Sequence, residues 1–197
     1  MTKLAGRKTE EMKRGTFENK KTAEASLTRR LIAYLIDWYI GGLATAFPIS
    51  VISMKLFDTV QNQNIMSFPA PYHLIAGSLG VLGGILYYWA VPAFAWKGQT
   101  LGKRWLKLKI VRTDGGEAGL GQLALRQILG IIVVEGSLVT ASTIWHQMAS
   151  IVSGVNVVKI LMYAGMAVSF VSAFLTLLKS HRAIHDRIGG TIVVMNG

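Results

Sequence analysis

Four stretches of this 197-residue chain, near 30–54, 74–96, 121–144 and 157–178, carry almost no charge, and each is long enough to cross a bilayer. A helix rises 1.5 Å per residue, so roughly 20 apolar residues cover ~30 Å of hydrocarbon. A water-soluble protein of this length would need an outsized core to bury four such runs. The balance of 51% hydrophobic against 16% charged residues points the same way. The expected fold is therefore an all-α membrane protein with four transmembrane helices.

Charge orients those helices. The formal net charge is +11, yet its distribution does not suit nucleic acid. Of 21 Lys and Arg, nine precede the first stretch, six lie between the second and third, and three follow the fourth. Only Lys55 and Lys159 fall on the opposite side, with Arg126 inside the third stretch. An excess of Lys and Arg marks cytoplasmic loops, so both termini and the central loop are expected in the cytoplasm. Residues 1–26 read as a basic cytoplasmic tail without an apolar stripe, and 27–197 as the membrane domain. The tail's cations suit anionic lipid headgroups as well as orientation. No small-residue cleavage site follows the first apolar run, so that run is expected to stay in the mature protein. Cysteine is absent, which removes disulfides and thiol chemistry.

Several local patterns bear on packing. Gly41 and Gly42 permit close helix contact, Pro48 should kink the first helix, and Gly80-x-x-x-Gly84 offers a small-residue face. Tyr87, Tyr88, Trp89 and Trp96 gather near one end of the second stretch and read as interfacial anchors. In the central loop Leu106, Leu108 and Ile110 alternate with Lys107 and Lys109, a strand period. Thr191–Met195 is β-branched and follows Gly189-Gly190. The two segments are expected to pair as a small cytoplasmic β-hairpin-like element.

The chemistry concentrates in polar groups at membrane depth. Arg30 and Asp37 are two helical turns apart, on one face and about 10 Å apart along the axis. An intramembrane carboxylate costs at least ~2.5 kcal/mol unless compensated, so Asp37 either locks helices together or handles an ion. Arg126 lies at a similar depth in the third stretch, and an Asp37–Arg126 pair is the favoured structural reading. Glu135, nine residues further, has no basic residue at matching depth; it is expected to be protonated, either bonding a neighbouring helix or serving proton-coupled transport. Gly98-Gln-Thr100-Leu-Gly102-Lys103 departs from the phosphate-loop spacing, and Arg104 replaces its Ser/Thr, so a turn presenting Lys103 and Arg104 to lipid headgroups is expected instead. His181 and His185 lack the further ligands of a zinc site. Asp186, between Arg182 and Arg187, is expected to close a salt-bridge network with the basic central loop. No nucleophile–base arrangement is visible; neither enzyme activity, metal nor cofactor is expected.

Three segments, in order, resemble the RDD family of bacterial membrane proteins. They are Arg30-Leu-Ile-Ala-Tyr-Leu-Ile-Asp37, then Gly98-Gln-Thr100-Leu-Gly102-Lys103 with Lys109–Gly115 and Leu125-Arg126, and finally His185-Asp186-Arg187-Ile-Gly-Gly-Thr191. The arginine and two aspartates of the family's name correspond to Arg30, Asp37 and Asp186. The resemblance implies a helical integral membrane protein of a bacterial plasma or inner membrane. Some members of the family are linked to sodium–proton antiport, and others look like accessory partners of membrane enzymes and exporters. Two functions are thus expected to compete. One is a non-enzymatic accessory or regulatory subunit of a transport, secretion or protease complex, bound to another membrane protein or to its own copies. The other is a small monovalent cation–proton antiporter using Asp37 and Glu135.

Overall fold

The computed structural model describes residues 25–136 and 138–196; most of the expected tail, residues 1–24, lies outside them. The chain runs α1 (Leu27–Phe57), a single 3-10 turn (Ile65–Ser67), α2 (Tyr72–Ala95), the short α3 (Leu101–Trp105) and β1 (Leu108–Arg112). It continues through α4 (Leu120–Val134), α5 (Thr140–Ser153), α6 (Val158–Leu177), the short α7 (Ile184–Ile188) and β2 (Thr191–Met195). Helices α1, α2 and α6 are long and apolar enough to cross a membrane.

Helix α1 buries one narrow stripe: Ala33, Asp37, Gly41, Thr45, Ile49 and Ser53, every fourth residue. Residues four apart stack on one face, so Asp37 stands in the middle of the surface that α1 turns inward. Leu31, Leu35, Tyr39, Leu43 and Phe47 cover the other faces and are exposed. The helix continues through Pro48, whose missing N–H leaves the Ala44 carbonyl without its intrahelical donor. Gly83 of α2 packs onto that carbonyl so closely that a Cβ there would lie 2.2 Å from the oxygen. The Gly80-x-x-x-Gly84 face does meet α1, Gly80 at Ile49 and Gly84 at Thr45 Oγ1.

The third apolar stretch is not one helix. It ends at Val134 and resumes at Thr140, so the continuous span expected over 121–144 is replaced by two helices. From Leu125 onward α4 widens to i→i+5 bonding, with Glu135 N–H on Gly130 O at 2.9 Å. The break is stabilised from across the gap. The Ile132 carbonyl accepts from Ser142 Oγ at 2.7 Å and Trp145 Nε1 at 2.9 Å, so a backbone acceptor freed by the break is satisfied. Gly136 fits only because it has no side chain; a Cβ would lie 2.3 Å from that same oxygen.

The two strands pair antiparallel with Leu108 opposite Met195 and Ile110 opposite Val193, the sheet anticipated from alternation and β-branching. Leu108, Ile110 and Val193 pack with Ala33 and Leu123, which seats the sheet under the ends of α1 and α4.

Candidate functional site

Asp37 is 2% exposed and its carboxylate is saturated. Oδ1 accepts from Tyr87 Oη at 2.7 Å and from the Gly102 amide at 2.9 Å. Oδ2 accepts from Lys103 Nζ at 2.9 Å and from the Thr100 hydroxyl. Tyr88 Oη adds a bond to the Asp37 backbone carbonyl at 3.0 Å. Asp37 therefore caps the first turn of α3 from another element: two donors come from the Thr100–Gly102 corner and the charge from Lys103. Gly102 makes the approach possible, since a Cβ there would lie 2.3 Å from Ala33 O. Burial draws the Lys103 ammonium below the usual lysine range, and Asp37 opposes that shift.

Asp186 is completely buried and forms the second node. It pairs with Arg30 Nη2 at 2.8 Å and with Arg126 Nη1. It also caps its own helix, accepting the Ala183 amide at 3.0 Å. Arg126 reaches Thr191 Oγ1 at 3.0 Å, and Arg30 donates to the His181 carbonyl. Arg182 binds two backbone carbonyls, Asp186 O and Thr191 O, both at 3.2 Å. One carboxylate thus joins α1, α4, α7 and β2.

Glu135, at the broken span, forms a third node. It accepts from the His185 amide and meets His185 Nδ1, both at 2.8 Å, and accepts from the Ser172 hydroxyl of α6. Burial, with Arg126 nearby, pulls the His185 imidazole down to about 4, the bond to Glu135 working against the shift. His185 is accordingly neutral near pH 7.

Five expectations change. Asp37 and Arg126 do not form the pair that equal depth suggested; α3 and α7 fold back into the helix ends and supply Lys103 and Asp186 as separate partners. Glu135 has a partner, because α7 carries His185 to it. Lys103 turns inward to Asp37 rather than to lipid, whereas Arg104 is exposed and stacks over Trp96 at 5.0 Å. Asp186 joins Arg30 and Arg126 instead of the central loop, and Arg187 only reaches Ser180 Oγ at 3.1 Å. Tyr87, Tyr88, His185, Ser172 and Thr191 belong to the network without having been singled out for it. Tyr87 and Tyr88, expected as interfacial anchors, are instead buried with both hydroxyls on Asp37, because α2 packs against the inward face of α1.

In formal terms four cations (Arg30, Lys103, Arg126, Arg182) face three anions (Asp37, Glu135, Asp186), Arg182 meeting backbone carbonyls rather than a carboxylate. No cluster of metal-ligating side chains occurs among the described residues. A carboxylate offers about four lone-pair sites, and Asp37 has filled four. A cation could reach it only after one of those donors had left.

No curated protein and no solved structure matches the chain. The RDD family model matches residues 24–190, a range that takes in every charged residue of the three nodes and stops just short of β2. With its arginine and both aspartates each fastened inside the fold, this chain belongs to the RDD family.

Proposed function

We propose that the protein is a non-enzymatic accessory or regulatory subunit in a bacterial plasma or inner membrane, working by contact with another membrane protein. The broken α4–α5 pair serves as the third of four passes, and both termini face the cytoplasm, as the distribution of Lys and Arg favours. One observation carries the reading: Asp37 and Asp186 are each spent on internal donors that tie elements together. Such residues build a rigid body rather than a pathway. Meanwhile α6 buries little beyond Gly165 and Ser172 and presents Ile160, Tyr163, Phe170 and Phe174 outward, a surface for lipid or a partner helix. The basic end of the body suits anionic lipid headgroups.

Affinity purification of the full chain in mild detergent tests this. A stoichiometric, different membrane protein is the expected result, and recovery of the chain alone or only with its own copies argues against it.

Antiport retains one supporting observation, the Glu135–His185 pair at an interrupted helix, where proton carriers often place their chemistry. Proteoliposomes loaded with a pH dye discriminate. Sodium- or potassium-driven dye response that disappears with Glu135→Gln favours antiport, and a flat wild-type trace beside a working control carrier removes it.

A further inference from the structure

Helix α3 lies at a depth where a charge needs a counterion, and one of its cations has none within the chain. Helix α1 has 31 residues, about 46 Å of rise against ~30 Å of hydrocarbon, so about 8 Å at each end runs through headgroups. Gly102 packs on α1 at Ala33, its Cβ position 2.3 Å from Ala33 O. Ala33 is six residues from the start of α1 at Leu27, about 9 Å inward. Helix α3 therefore sits at the boundary between headgroups and hydrocarbon. The end of α2 reaches the same level: Gly83 meets Ala44, and Phe94 is eleven residues further on, just as Ala33 is eleven residues back.

Asp37 takes the inner face of α3 through Thr100, Gly102 and Lys103, and Arg104 and Trp105 face outward. Trp105 is 64% exposed and Phe94 65%, large rings of the kind that settle at a bilayer interface. The Arg104 guanidinium lies over the Trp96 ring, 5.0 Å from its centroid, which fixes its plane and leaves its N–H edges free. Among the described residues those N–H groups meet no acceptor, and no carboxylate pairs with Arg104 or with the exposed Lys107. Asp37 is taken by Lys103, and Glu117 by Lys109.

A guanidinium at this depth gains its countercharge only from outside the chain. A phosphodiester offers paired acceptor oxygens that the guanidinium fork meets in bidentate fashion, and its acyl chains suit the exposed rings of Phe94 and Trp105. Lys107, whose amide bonds to the Arg104 carbonyl at 3.2 Å, puts a second positive charge close by and disfavours a headgroup that carries its own cation.

We propose that Arg104, stacked on Trp96 with Trp105 next to it, binds the phosphate of one anionic phospholipid. The site rests on the lipid contact proposed above for the basic end of the body, and it stands whether or not a protein partner is recovered.

Native mass spectrometry of the full chain in mild detergent tests it, with phosphatidylglycerol and phosphatidylcholine of the same acyl chains titrated separately. The wild type should hold one phosphatidylglycerol about tenfold more tightly than phosphatidylcholine, the effect of one charge-assisted hydrogen bond. Arg104→Gln should remove that preference, and Arg104→Lys should keep only part of it, since an ammonium has no fork. Lys179→Gln, which removes another exposed cation at the same end, should leave the preference intact. Circular dichroism should be the same for all three variants. Equal affinity of the wild type for the two lipids overturns the proposal. So does equal loss in Arg104→Gln and Lys179→Gln, which means diffuse attraction to a basic surface. Release of the bound lipid by millimolar inorganic phosphate means a free-anion site and overturns it as well.

Discussion

A carboxylate in an apolar interior needs either a proton or a set of donors, and Asp37 has donors on every side. Breaking a buried ion pair by removing one partner costs about 3–5 kcal/mol, because the survivor keeps its desolvation penalty. Asp37→Asn should therefore lower stability by about that much, and adding Lys103→Met should restore part of it, whereas adding Arg126→Gln should not. Unfolding of the single and double variants in detergent measures this directly, and equal recovery from both second substitutions would contradict the observed pairing. His185 gives a pH signature. Its imidazole is held down to about 4 from an ordinary value of 6.5, so the unfolded chain binds the proton first as the pH falls. Stability is then full above about pH 6.5 and is lost progressively toward pH 4, by on the order of 3 kcal/mol. Thermal unfolding across that window should show the slope, and His185→Gln should flatten it.

At the scale of elements, the pieces that differ from expectation are those whose shape depends on distant contacts. The stretch 121–144 carries no charge apart from Arg126 and Glu135, and hydropathy alone reads it as one helix. It breaks because Ser142 and Trp145 can take the Ile132 carbonyl while Ser172 and His185 hold Glu135, and those donors are up to 50 residues away. The strands were legible because alternation and β-branching are local. Their register gives a clean test in a chain without cysteine. Ile110 faces Val193, so Ile110→Cys with Val193→Cys should close a disulfide on mild oxidation. Ile110→Cys with Val194→Cys should not, since neighbouring residues point to opposite faces. Crosslinking of the second pair but not the first would show that the register has slipped.

For the whole molecule, the three nodes lie where short elements tuck under the ends of long ones. Arg30 and Asp37 fix the start of α1 to α7 and α3, while Glu135 joins the α4–α5 break to α6 and α7. Removing Asp186 or Glu135 should loosen the other node, since both depend on α7 and α4. Orientation in the membrane can be checked in intact cells. Lys55→Cys and Lys159→Cys, both exposed, should react with a membrane-impermeant maleimide, and Lys107→Cys and Lys179→Cys only after permeabilisation. Labelling of Lys107→Cys from outside would reverse the topology.

Membrane class, the three uninterrupted apolar helices, the pairing segments and the importance of Arg30, Asp37 and Asp186 were determined by the sequence itself. Each depends on hydropathy, period or motif, which act over a few residues or count charges one at a time. Which cation meets which carboxylate was decided only by tertiary structure. Depth along a helix leaves several partners within reach, and the choice falls to the elements that fold back, as α3 brings Lys103 to Asp37 and α7 brings Asp186 and His185 to Arg126 and Glu135. Those returns are long-range packing events, and no local pattern in the chain encodes where they land.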